Sequence, residues 1–163
     1  MNERIPLFKV KLVRERWVLF PPVAVDQPQV AAMFFHRLIG RADREHSAVL
    51  FLDVHRRCTG ASIIGIGSLD STEMPAREVF KAALLANAAS ILISHNHPGH
   101  SAEPSDADVR LTMRLVQAGQ ILGVQVLDHL IVTPSGAFTS MREAKLLSAT
   151  KADARQFLEL APT

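Results

Sequence analysis

The stretch that most restricts the fold is Ser90-Ile91-Leu92-Ile93, an uncharged apolar run that gives way at once to Ser94-His95-Asn96-His97-Pro98. A short run of this kind reads as a central strand buried on both faces. Its end is then crowded with imidazoles, which the core of an ordinary strand would not hold. His95 and His97 stand two apart, and in extended backbone such residues project to the same side, with Cα atoms roughly 7 Å apart. Both rings can therefore reach one ion.

Strands and helices alternate around this run. Ser47–Asp53, with its core Ala-Val-Leu-Phe-Leu, reads as a buried strand, and Ser62–Gly67 as its partner in a meander. Asp26 and Pro28 open a helix expected to run to Gly40, and Pro75 opens a second with the apolar stripe Val79, Phe80, Ala83, Leu84 and Ala86. A third helix starts near Ser105, carries Val109, Met113 and Val116, and has Gly119 as its expected C-cap. Val124–Val132 and Ala137–Thr139 read as strands around the turn Thr133-Pro134-Ser135-Gly136, and Met141 onward as helical. Phe8–Leu19 mixes alternation with charge and stops at Pro21-Pro22, as an exposed or edge strand does. The order predicts an α/β (α+β) fold, a sheet covered by helices. The expected division is an N-terminal strand extension over 1–25, one domain over 26–149, and a helical tail over 150–163.

At 163 residues, with 48% hydrophobic and 21% charged residues, the chain can bury one sizeable core. Eighteen Lys and Arg against sixteen Asp and Glu give a formal charge of +2, too scattered to argue for a nucleic-acid surface. The single cysteine, Cys58, makes no intramolecular disulfide, and the N-terminus lacks a long apolar stretch. A reducing cytoplasm is expected, with no membrane partner.

Asp108 lies where the third helix begins, so the loop from His97 can return a carboxylate to the two imidazoles. Two His and one Asp suit zinc, with a fourth position left for water. Such an ion lowers the pKa of bound water to about 7 and polarises a carbonyl, which is what amide hydrolysis requires. Ser105, three residues before Asp108, could donate to the oxyanion that develops. Local chemistry also accounts for part of the pattern: Ser-x-x-Asp is a capping box, and Asn96-His97-Pro98-Gly99 is good turn sequence. Neither accounts for two same-side histidines at a strand end. By background usage alone, Ser and Asp at these offsets from His-x-His arise about once in several hundred cases.

His95-x-His97-Pro98-x6-Ser105-x2-Asp108 resembles the metalloprotease signature of the JAMM (MPN) family. Pro75-Ala-Arg77-Glu78-Val-Phe, Ala88 through Pro98 and Leu122 through Ile131 resemble its bacterial RadC-like branch, from about Asp26 to Leu147. The resemblance implies a single MPN/JAMM-like (cytidine-deaminase-like) domain, a mixed sheet sandwiched between helices. It implies a zinc peptidase or isopeptidase acting on a peptide or protein conjugate, with His95, His97 and Asp108 as ligands and Ser105 in support. It also places a glutamate at the entry of an early strand, to take a proton from the activated water and pass it to the leaving amine. The matching residue is Glu45. Two departures stand out. The branch commonly reads His-Asn-His-Pro-Ser-Gly, where this chain has Gly99-His100, so His100 is strained if that position needs positive φ. The helix-hairpin-helix type segment of longer relatives has no counterpart in the first 25 residues.

Other readings are weaker. Cys58 with His55 lacks an orienting acid, one cysteine excludes the zinc-deaminase pattern, and Trp17 and the phenylalanines show no base-stacking spacing. Asp128 and His129 adjoin on a strand and face opposite ways; one of them can back a metal ligand, and packing explains the pair equally well. A catalytically silent interaction module is the alternative function, and a nucleic-acid-associated factor a weaker one, which salt-sensitive DNA binding would support.

Overall fold

The computed structural model describes residues 4–67 and 74–147. Five strands form one sheet in the order β2-β1-β3-β4-β5, from β1 (His46–Leu52), β2 (Cys58–Ile66), β3 (Ser90–Asn96), β4 (Gln125–Val132) and β5 (Phe138–Ser140). The β1 pairings with β2 and β3 are antiparallel, as is β4 with β5, while β3 and β4 run parallel. The helices are α1 (Pro28–Phe35), α2 (Ala76–Leu85) and α3 (Asp106–Leu122). The expected mixed sheet between helices is what forms.

β3 holds the centre because every one of its residues is buried. Alternation divides the core in two. Ala48, Leu50, Leu52, Leu92, Leu130 and Val132 face α1, and Val49, Phe51, Ile91 and Ile93 face α2 and α3. Ser47 is paired with His95, so both lie on the α3 side, at the end of β3 where the apolar residues stop. No helix among the described residues is long and apolar enough to cross a membrane.

Several boundaries differ from expectation. α1 ends at Phe35 and the chain continues as a π-helical turn, His36–Gly40, in which a Cβ on Gly40 would stand 2.6 Å from the His36 ring. The cap of α3 is Gly123, left-handed at φ 71, rather than Gly119. Gly119 lies inside the helix for a packing reason: an added Cβ would meet the Val124 carbonyl oxygen at 2.4 Å. β2 begins at Cys58, earlier than its polar start suggested, because the antiparallel pairing with Leu52 extends that far. Met141–Lys145 forms turns instead of a helix, held by Met141 N–H on the His129 carbonyl and by Asp128. Residues 4–20 form no helix or strand and are largely exposed, and the nearest bridge, Ala24 with Arg57, lies beyond them. Their expected strand pairing is therefore not formed within this chain. The proposed tail over 150–163 lies outside the described residues.

Candidate metal centre

The end of β3 delivers both imidazoles to the α3 side, as alternation requires, and α3 delivers Asp108 from its first turn. His95 Nε2 and His97 Nε2 are 3.0 Å apart, His95 Nε2 is 3.2 Å from Asp108 Oδ1, and His97 Nε2 is 3.8 Å from Asp108 Oδ2. A tetrahedral zinc with bonds of 2.0–2.1 Å separates its ligand atoms by about 3.3 Å, and one donor atom from each of the three residues lies within 4.8 Å of the others, so small side-chain adjustments bring them onto one ion. His97 and Asp108 keep 19% and 14% of their side-chain surface exposed, while the His95 side chain keeps 4%. The cluster is thus rooted in the core and open on one side, which leaves room for a non-protein ligand. Among the described residues it is the one group of three or more such side chains gathered closely enough to hold a metal.

Each ligand is held by local chemistry. His97 Nδ1 lies 2.8 Å from the Ser101 carbonyl, which can only accept, so the proton sits on Nδ1 and Nε2 presents its lone pair. Asp108 forms a capping box with Ser105: Oδ2 accepts from the Ser105 backbone N–H at 2.8 Å and from its hydroxyl at 2.6 Å, while the Asp108 N–H donates back to Oγ at 3.2 Å. Burial pushes the Asp108 carboxyl up, but His95 and the two Ser105 bonds outweigh it and hold it well below the usual carboxylate range. The cap and the ligand are therefore one structure. Ser105 steers Asp108, and its hydroxyl proton already has an acceptor.

Glu45 immediately precedes β1. The β1–β3 ladder ends at the pair Ser47 with His95, and Glu45 lies two residues before it. Asn96 secures that stretch from both sides: its Oδ1 accepts from His46 N–H at 2.7 Å and its Nδ2 donates to the Arg44 carbonyl at 3.1 Å. The Glu45 carbonyl accepts from Gly67 N–H at 2.8 Å. Asn96 is thus a buried strand residue that fixes the Glu45 backbone, not a turn former. Its place between two same-side histidines was the available sign, since a residue there must face the opposite way. The Ser47 hydroxyl, fully buried level with His95, has no hydrogen-bond partner.

Behind the ligands, His95 Nδ1 lies 2.8 Å from His129 Nε2, and His129 Nδ1 lies 2.6 Å from Thr112 Oγ1. Burial drives the His129 pKa well below the ordinary histidine range. Asp128 faces the other way, accepting from His129 N–H, Arg142 N–H and the Ser140 hydroxyl at 2.5–2.9 Å; burial raises its carboxyl and these donors oppose the rise. The sequence pair is thus resolved: His129 backs the His95 ring and Asp128 anchors the turn after β5. Thr112 escaped notice in the sequence, though its position one helical turn after Asp108 was a usable signal. Burial raises the Cys58 thiol, which donates to the Gly60 carbonyl, and this argues against a thiolate nucleophile. An apolar cleft of about 340 Å³ between Phe20 and α1 contains none of these residues.

His100 has φ 70, the left-handed conformation anticipated for that position, whereas Gly99 has no neighbour that would exclude a side chain. Non-glycine residues in this region cost about 1–2 kcal/mol, partly offset by the greater unfolded-state freedom of glycine. His100→Gly is therefore expected to stabilise the fold by about 0.5–1 kcal/mol, seen as a higher urea midpoint at unchanged slope. An unchanged midpoint would show that the loop has absorbed the strain.

Residues 25–146 match the RadC-like JAB domain family. A UPF0758 protein of Moorella thermoacetica is 44% identical over 105 residues, covering 64% of this chain and 45% of the relative. One from Thermosynechococcus vestitus is 40% identical over 119 residues, covering 73% of this chain and 47% of the relative. One from Finegoldia magna is 38% identical over 120 residues, covering 74% and 53%. The chain spans about half the length of these curated relatives.

Proposed function

The chain belongs to the RadC-like JAB domain family, and from that premise we propose that it is a zinc-dependent hydrolase cleaving a peptide or isopeptide bond in a peptide or protein conjugate. The observation that carries this reading is the convergence of His95 Nε2, His97 Nε2 and an Asp108 oxygen on one partly open point. When bound there, zinc supplies Lewis acidity toward a carbonyl oxygen and makes water ionisable near neutral pH.

The remaining work falls to the protein. Glu45, just before the end of β1 that pairs with His95, is assigned the proton, which it would take from water and hand to the departing nitrogen. The Asn96 amide holds the Glu45 backbone from both sides, so the carboxylate is presented from a fixed point. Ser105 keeps the Asp108 carboxylate oriented, and with its hydroxyl turned toward substrate it would donate to the carbonyl oxygen as charge develops.

The test is a screen of peptide libraries and protein conjugates with the purified chain. Cleavage that a chelator abolishes and added zinc restores is the expected result. Cleavage indifferent to chelator would overturn the zinc reading, and zinc uptake with no cleavage across the screen would favour a silent interaction module.

A further inference from the structure

The proton positions in the buried chain behind His95 can be worked out by counting donors. Thr112 Oγ1 lies 2.6 Å from the Asp108 backbone carbonyl. Two oxygens at that distance repel unless a proton lies between them, and a carbonyl has none to give, so the hydroxyl donates to Asp108. The Met141 sulfur, 3.2 Å from the same oxygen, is the weaker acceptor. With its single proton committed, Oγ1 meets His129 Nδ1 at 2.6 Å only as an acceptor, which puts a proton on His129 Nδ1. His129 is wholly buried and none of its hydrogen-bond partners is a carboxylate, so a second proton would leave an uncompensated charge in the core. His129 Nε2 is then bare and accepts from His95 Nδ1 at 2.8 Å. The sequence of donations ends with the proton on His95 Nδ1, which leaves Nε2, the nitrogen facing His97 and Asp108, as the one that can take the ion.

We propose that Thr112 and His129 are positioning residues which hold His95 in the single tautomer able to ligate zinc through Nε2, the proposal resting on the zinc reading of the site. The chain starts at the backbone of one ligand, Asp108 on α3, and ends at the ring of another, His95 on β3. It thereby ties helix to strand and fixes their separation together with the proton. Histidine ligands more often donate their second nitrogen to a carboxylate, carbonyl or water. Here the acceptor is a neutral imidazole, a weaker pull on the ligand's proton than a carboxylate exerts, so the shared proton stays on His95 Nδ1. His97 is set separately through the Ser101 carbonyl, so both rings turn Nε2 toward Asp108.

The experiment compares the wild-type chain with Thr112→Val and Thr112→Ser. Zinc affinity is read by competition with a chromophoric chelator, and tautomers by long-range proton–nitrogen NMR of the metal-free protein. His129 should carry its proton on Nδ1 in the wild type and in Thr112→Ser, and zinc affinity should agree within about threefold between them. Thr112→Val should lose that signature and bind zinc about 10–100-fold more weakly, the usual cost of losing an outer-shell partner. A proton on His129 Nε2 in the wild type, or wild-type affinity in a folded Thr112→Val, would overturn the proposal. Should Thr112→Val fail to fold, the wild-type spectrum and Thr112→Ser still decide it. A wild-type chain that takes up no zinc would overturn the zinc reading itself, and the metal-free spectrum separates that failure from failure of the relay.

Discussion

His97→Ala, purified without added metal, is expected to fold and to contain almost no zinc, where the wild-type chain carries about one ion. His97 sits on the open side of the site with its side chain 19% exposed, so truncation leaves a solvent-filled notch and not a buried cavity. What disappears is one of three protein donors. Loss of a residue behind a ligand weakens metal binding about 10–100-fold, so loss of the ligand itself should exceed about 100-fold. Elemental analysis gives the stoichiometry and chelator competition the affinity. Equal zinc in both proteins would remove the basis of the hydrolase reading.

Glu45→Gln is expected to do the opposite, keeping the metal and losing turnover by about 10²–10⁴-fold, the usual contribution of a positioned proton carrier. Glutamine matches glutamate in size, and the backbone at this position is held by Asn96 and Gly67 and not by the carboxylate, so the fold should not register the change. The measurement is the rate on whichever substrate the screen yields, at saturating zinc. A variant that cleaves as fast as the wild type would take Glu45 out of the chemistry. The two variants together separate holding the ion from using it.

The ligand set was legible because its geometry is local. Alternation on β3 places His95 and His97 on one side whatever surrounds the strand, and the Ser105–Asp108 box closes within a single helical turn. Capping and metal binding, which read as rivals in the sequence, are two uses of one carboxylate: Oδ2 takes the cap and Oδ1 lies toward His95. Glu45 was placed only by resemblance, since a charged residue before a strand has no local signature. Its site is decided by the β1–β3 register and by an Asn96 bond that reaches across 50 residues. The sequence pattern put the C-cap at Gly119, one turn before Gly123 where the helix ends. The packing against Val124 that requires Gly119 inside the helix is a tertiary contact.

Read alone, the chain determined the class of fold and the three metal-ligand candidates, because periodicity and short offsets are properties of consecutive residues. Whether Asp128 or His129 would stand behind the metal was settled elsewhere. The β3–β4 register slips between Ile91 and Leu92, so that Ile91 pairs with Val126 but Ile93 pairs with His129. Without that extra residue Asp128 would occupy the place level with Ile93, on the α3 side. A bulge of this kind depends on how two strands distant in sequence meet, and one residue of slip exchanges the faces of everything beyond it.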